Sequence, residues 1–144
     1  MNMMYAAMIA GRLGWNLEQR VSHRAGEILQ FTVSIENTTG EEREFQVWIG
    51  LFTLEGSVIT TFPLPDTFTV AAGATTSFNL AVKIDYSNCI LQASLYDIET
   101  GEMGAALQTT LEQPPSLIDQ VSSPLVGVAV VGMMGAFIPK ILKD

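Results

Sequence analysis

The chain has one cysteine and one histidine in 144 residues. A single thiol cannot close an internal disulfide or build a Cys-rich metal site. A single imidazole leaves little for acid–base or zinc chemistry. Charge is scarce as well: Asp, Glu, Lys and Arg together make up 15% of the residues, against about a quarter in an average domain. Within that small set fifteen acids face seven bases, a formal net charge of −8. A phosphate backbone would be repelled by such a surface, so direct nucleic-acid binding has little to start from. What the chain has in quantity is apolar residues, 48% of the total, the opposite of a disordered composition. Its length suits one domain, or one domain plus a tail.

The first eleven residues (MNMMYAAMIAG) carry no charged side chain. They lack the basic n-region of a secretory signal, and their apolar run is too short to span a bilayer. Residues 1–14 are expected to be an apolar arm, docked on the domain as a short helix or strand or packed on a neighbouring subunit.

From Trp15 to Glu112 the hydrophobic pattern has period two, the period of a strand. In EILQFTVSIEN, Leu29, Phe31, Val33 and Ile35 alternate with Gln30, Thr32, Ser34 and Glu36. Arg43 to Leu54 alternates Phe45, Val47, Ile49 and Leu51 with Gln46, Trp48, Gly50 and Phe52. Trp48 and Phe52 thus fall on the outer face, where two large aromatics need cover, so they are a candidate interaction patch. Val58 to Phe62 is expected to end at Pro63 and Pro65, because proline cannot donate to a ladder. Phe68 to Val70 forms a short strand, Phe78, Leu80, Val82 and Ile84 another inward row, and Cys89, Leu91, Ala93 and Leu95 the next. DIETGE then turns into a last strand over Met103 to Leu111, with glycine where a positive φ is required. With one more strand near Leu17 to Val21, the total is seven or eight. Short, regularly spaced strands predict a mainly β fold, an antiparallel β-sandwich.

One pattern recurs: Ala25-Gly26 precedes Phe31 and Val33, and Ala72-Gly73 precedes Phe78 and Leu80 at the same spacing. The two strands are expected to be analogous neighbours in one antiparallel sheet. The AGE-x-x-x-FTVSIEN strand, the AAG turn and the late SLYDIETG stretch resemble immunoglobulin-like modules of prokaryotic surface and viral proteins, including those grouped with CARDB domains. The resemblance covers residues 15–112 and lacks the Cys…Trp…Cys set of antibody domains. It implies a binding or assembly module and transfers no site residues.

The tail differs in kind. Residues 113–119 read as a linker, since Pro114 and Pro115 continue neither helix nor ladder. Residues 120–139 then carry no charge, over a length that matches a bilayer's hydrocarbon core. Residues 120–144 are expected to be a transmembrane helix or a helix in an oligomer core. Gly127, Gly132, Gly135 and Ala136 would allow close helix contact. Lys140 and Lys143 would reach headgroups.

No cofactor or metal site is expected. His23, between Ser22 and Arg24, reads as a solvated surface histidine, and Cys89 as a buried thiol on an inward row. Asp97, Glu99 and Glu102 cluster at a turn without the spacing of a calcium loop. Glu41, Glu42 and Glu44 read as a solvated hairpin tip. Asn37-Thr38-Thr39 is a glycosylation sequon, meaningful if that loop meets a glycosylating compartment.

These features point to a non-enzymatic structural protein that is membrane-associated and works by protein–protein contact in a homo- or hetero-oligomer. With no signal peptide in sight the sandwich is expected in the cytosol, yet the terminal lysines prefer the cytoplasmic side themselves. A virion or phage component with an internal membrane or shell reconciles the two. The alternatives are a cell-surface or filament (pilus or archaellum) accessory protein, or a soluble binding module whose tail packs in an oligomer core.

Overall fold

A computed structural model of the chain describes residues 3–114. Among them are nine strands: β1 (Met4–Ala7), β2 (Gly11–Trp15), β3 (Arg20–Ser22), β4 (Glu27–Asn37), β5 (Arg43–Thr53), β6 (Val58–Val70), β7 (Thr75–Ile84), β8 (Cys89–Asp97) and β9 (Glu102–Glu112). One sheet has the order β1-β2-β4-β7 and the other β3-β9-β8-β5-β6. All pairings are antiparallel except β3 with β9, which is parallel. The fold is a mainly β, mostly antiparallel two-sheet sandwich.

The alternating rows close its core. Val33 and Ile35 of β4, Phe45, Val47, Ile49 and Leu51 of β5, and Leu91 and Leu95 of β8 are all buried. The strands launched by the two glycine turns are neighbours as expected, with Phe31 opposite Leu80 and Val33 opposite Phe78. Gly26 and Gly73 have φ of 92° and 70°, a region in which a Cβ is strained. Phe31, Val33 and Leu80 are core residues. Phe78 is half-buried at the margin, where it stacks on Phe68 with centroids 4.4 Å apart.

Three expectations change. The sandwich reaches back to Met4: β1 is an edge strand and β2 an inner one. Leu13 and Trp15 on β2 are fully buried, and the Trp15 ring meets Phe31 edge-on at 5.7 Å. In the charge-free start Met4, Ala6 and Met8 alternate toward the core and pack against it, which accounts for its apolar character. Second, β6 does not stop at Pro63 and Pro65 but runs through both. It is the outermost strand of its sheet, so a missing N–H can face away from the ladder. The β5–β6 register shifts between Gln46 and Trp48, and the Gln46 amide donates to the Leu64 carbonyl across the irregularity. Third, the count is nine among the described residues, and the strand near Leu17 to Val21 is a short parallel partner of β9.

Residues 120–144, with Gly127, Gly132, Gly135, Ala136, Lys140 and Lys143, lie outside the described residues, as does most of the 113–119 linker. Among the described residues no helix is long and apolar enough to cross a membrane.

Candidate interaction surface

The outer face of the five-stranded sheet is built on the even positions of β5. Trp48 lies between Pro63 of β6 and Ser94 of β8, Gly50 between Thr61 and Gln92, and Phe52 between Val58 and Ile90. Trp48 and Phe52 are half-buried. Phe52 packs over Gly50 of its own strand, and the N-terminal strand pairs in the other sheet. A Cβ on Gly50 would meet the Phe52 ring at 2.8 Å and the Thr61 methyl at 3.3 Å. Phe52 therefore folds back over its own strand, and only a glycine leaves it room. The Trp48 indole N–H is buried without an acceptor among the described residues. Beside the aromatics runs an amide row in which Gln108 donates to Gln92 at 2.8 Å and Gln92 donates to the Ser94 hydroxyl at 3.4 Å. A second apolar feature, a groove of about 430 Å³, lies between β6 and β7 and is lined by Leu64, Phe68, Phe78 and Leu80.

His23 is not solvated: it is 2% exposed. Its Nε2 lies 2.9 Å from the Ile84 carbonyl, so that nitrogen carries the hydrogen and donates. Its backbone N–H donates to the Glu112 carbonyl. The residue thereby straps the end of β7 in one sheet to the end of β9 in the other. Burial pulls its pKa below 6.5, against the opposing pull of the Ile84 bond and the nearby Glu27 and Asp85 charges. Nothing in Ser22-His23-Arg24 signals this, since both partners lie far away in sequence.

Cys89 is buried as its inward row requires, and desolvation pushes its thiol pKa up.

The three turn acids separate. Asp97 is fully buried, with Oδ2 2.9 Å from Arg43 Nη1 and Oδ1 accepting from the Glu99 N–H. Glu99 is 3.7 Å from the same guanidinium, and the Glu102 N–H donates to Thr100 Oγ1. The Asp97 carboxylate therefore orders the β8–β9 turn. Among the described residues no group of three His, Cys, Asp or Glu is placed to hold a metal ion. Glu41 and Glu42 are exposed, while Glu44 is half-buried and accepts from the Thr67 hydroxyl at 2.6 Å.

Asn37 overturns the sequon reading. Its side chain is fully buried, and Nδ2 donates to the carbonyls of Glu41 (2.7 Å) and Val70 (2.8 Å). Its Oδ1 accepts from the Thr39 N–H and hydroxyl. Both amide hydrogens are used inside the fold, so a glycan on this nitrogen is incompatible with it. The Asn-x-Thr spacing serves an Asx turn instead.

No family model and no curated protein matches the chain. Solved structures with a related arrangement include the sporulation control protein Spo0M from Bacillus subtilis, at 14% identity and a TM-score of 0.49 over 73% of this chain and 50% of that one. Another is the alkylpurine DNA glycosylase AlkC from Pseudomonas fluorescens, at 16% identity and 0.47, over 64% and 28%. A third is Bacteroides uniformis β-glucuronidase, at 11% identity and 0.45, over 69% and 12%. The chain spans half or less of each of these proteins, and none of their activities is carried over to it.

Proposed function

We propose that the chain is a non-enzymatic assembly module: an immunoglobulin-like sandwich that works by protein–protein contact, tethered by residues 120–139 as a membrane-spanning helix. The strand order supports the immunoglobulin-like reading. Taking β2, β4 and β7 as strands A, B and E, and β9, β8, β5 and β6 as G, F, C and C′, matches the two-sheet partition of that architecture except for strand D, with β1 and β3 as additions at the sheet edges. The observation that carries the contact reading is the outer strip of Trp48 and Phe52 bordered by Val58 and Ile90. Aromatics beside adaptable amides suit the centre of a protein interface. The favoured setting is a virion or phage structure with a membrane or shell. A second reading, in which the tail packs on protein, draws support from the apolar groove between β6 and β7.

The deciding experiment uses the full chain. Flotation with vesicles after an alkaline wash is expected for a tethered protein, and recovery in the soluble fraction would overturn the tether. Light scattering of wild type and the Trp48→Ser, Phe52→Ser double variant is expected to give a smaller assembly for the variant. Equal masses would remove the strip's assembly role.

A further inference from the structure

The two ends of the sandwich differ in what they expose. At one end lie the β5–β6 hairpin and the β7–β8 loop, because Thr53 at the end of β5 pairs with Cys89 at the start of β8. Three of the large hydrophobic residues exposed among the described residues cluster here: Leu54 (54%), Val58 (63%) and Tyr86 (43%). The chain also leaves the sandwich at this end. The Gln113 N–H donates to Asn88 Oδ1 at 3.1 Å, and the Ser87 hydroxyl donates to Gln113 Oε1 at 3.2 Å. From Pro114 the charge-free run at 120 is six residues away, a reach of at most about 20 Å. The opposite end carries Glu41, Glu42, Glu99 and Glu102, and β-strands of eleven residues hold the two ends roughly 35 Å apart.

We propose that the exit end of the sandwich lies on the bilayer surface, with Leu54, Val58 and Tyr86 entering the headgroup layer. This rests on the tether reading of residues 120–139. The hairpin suits that environment, since its backbone is already bonded within itself. The Thr53 N–H donates to Ser57 O, the Gly56 N–H to Thr53 O, and the Ser57 N–H to Thr53 Oγ1. The main-chain groups left at the tip, on Leu54, Glu55 and Gly56, stay hydrated in a headgroup layer. A phenol at the interface keeps its hydroxyl wet and its ring buried. Apolar contact drives the docking, because the cations at this end already face acids: Arg20 beside Glu112, Arg24 beside Glu27, and Lys83 beside Asp85. Glu18 and Glu55 add negative charge to the same end, so attraction to anionic lipid does not drive the docking and a neutral surface is the appropriate probe. The other end also exposes apolar side chains, Ile9 (85%) and Met103 (47%), but it lies among Glu41, Glu42, Glu99 and Glu102 and away from the point where the chain leaves the sandwich.

The test is to reconstitute full-length protein in phosphatidylcholine vesicles with or without brominated acyl chains, carrying a bimane label on Val58→Cys, Tyr86→Cys or Glu41→Cys. Cys89 is buried, so the label reports the introduced thiol. Bromolipid is expected to quench labels at 58 and 86 roughly twofold and to leave the label at 41 unchanged. In a Leu54→Asp, Val58→Asp background the label at 86 is expected to lose that quenching while the protein still floats. Protein that floats with labels 58 and 86 unquenched, or with 41 quenched equally, overturns the docking and leaves the tether standing. Protein that fails to float overturns both.

Discussion

The acidic end and the exit end of the sandwich are held by different chemistry. At the acidic end, polar side chains are buried to tie loops together. Asn37 joins the turn after β4 to the end of β6, and Asp97 joins the β8–β9 turn to Arg43 at the start of β5. At the exit end, His23 straps β7 to β9 and the buried Thr109 hydroxyl donates to the Glu18 carbonyl, while the hairpin and loop beside them turn apolar side chains outward. Buried polar groups with full partners specify a unique loop geometry. Exposed apolar groups add little to folding and are available for contact. The acidic end thus fixes its loops through Asn37 and Asp97, and under the proposed docking the exit end is the one that meets lipid.

The largest expected effect lies at the acidic end. Asp97→Ala leaves Arg43 beside a vacated buried site and is expected to destabilise by about 3–5 kcal/mol in urea unfolding. A loss comparable to a surface substitution would show that Asp97 does not organise this end. Asn37→Ala removes two donated bonds and leaves the Val70 and Glu41 carbonyls short of a partner, a loss of roughly 2–3 kcal/mol by the same measurement.

His23 sharpens the contrast by pH. Its folded pKa lies below 6.5, so the unfolded chain binds the proton more readily. The stability it contributes is complete above pH 6.5 and is lost as pH falls through the folded value, with a slope of at most about 1.4 kcal/mol per pH unit. Thermal melts between pH 7 and pH 5 should show this decline in wild type. His23→Gln, which keeps a donor for Ile84 but does not titrate, should lose that component, and an unchanged slope would assign the decline to other groups. The smallest effect belongs to the exit end: Leu54→Ser and Val58→Ser are each expected to change stability by less than about 0.5 kcal/mol. A larger loss would mean that the hairpin belongs to the core.

Much of the sandwich is legible in the order of residues. The odd positions of β4 and β5 read as inward rows, and the matched turns at Gly26 and Gly73 placed their strands side by side, as the Phe31–Leu80 pairing confirms. Trp48 and Phe52 fell on the outer face as their parity required. The first fourteen residues were harder. Gly-Arg-Leu-Gly-Trp is too short and too glycine-rich to announce an inner strand, and its place depends on β4 offering an edge. Pro63 and Pro65 misled for a related reason, because a proline forbids a position between two strands but allows an outermost one, and strand order is not written locally.

What the sequence by itself determined is the alternation: which side chains leave water, and where glycine lets the chain reverse. Those follow from the two-residue repeat of an extended backbone and from the missing Cβ, both local properties. Only the tertiary structure decided the fate of the polar residues. Asn37 finds Val70 across 33 positions, Asp97 finds Arg43 across 54, and His23 finds Ile84 across 61. A polar side chain is buried when partners in the fold replace its water; Asn37 and Asp97 find some nearby, at Thr39, Glu41 and Glu99, but Val70, Arg43 and Ile84 lie in no local window.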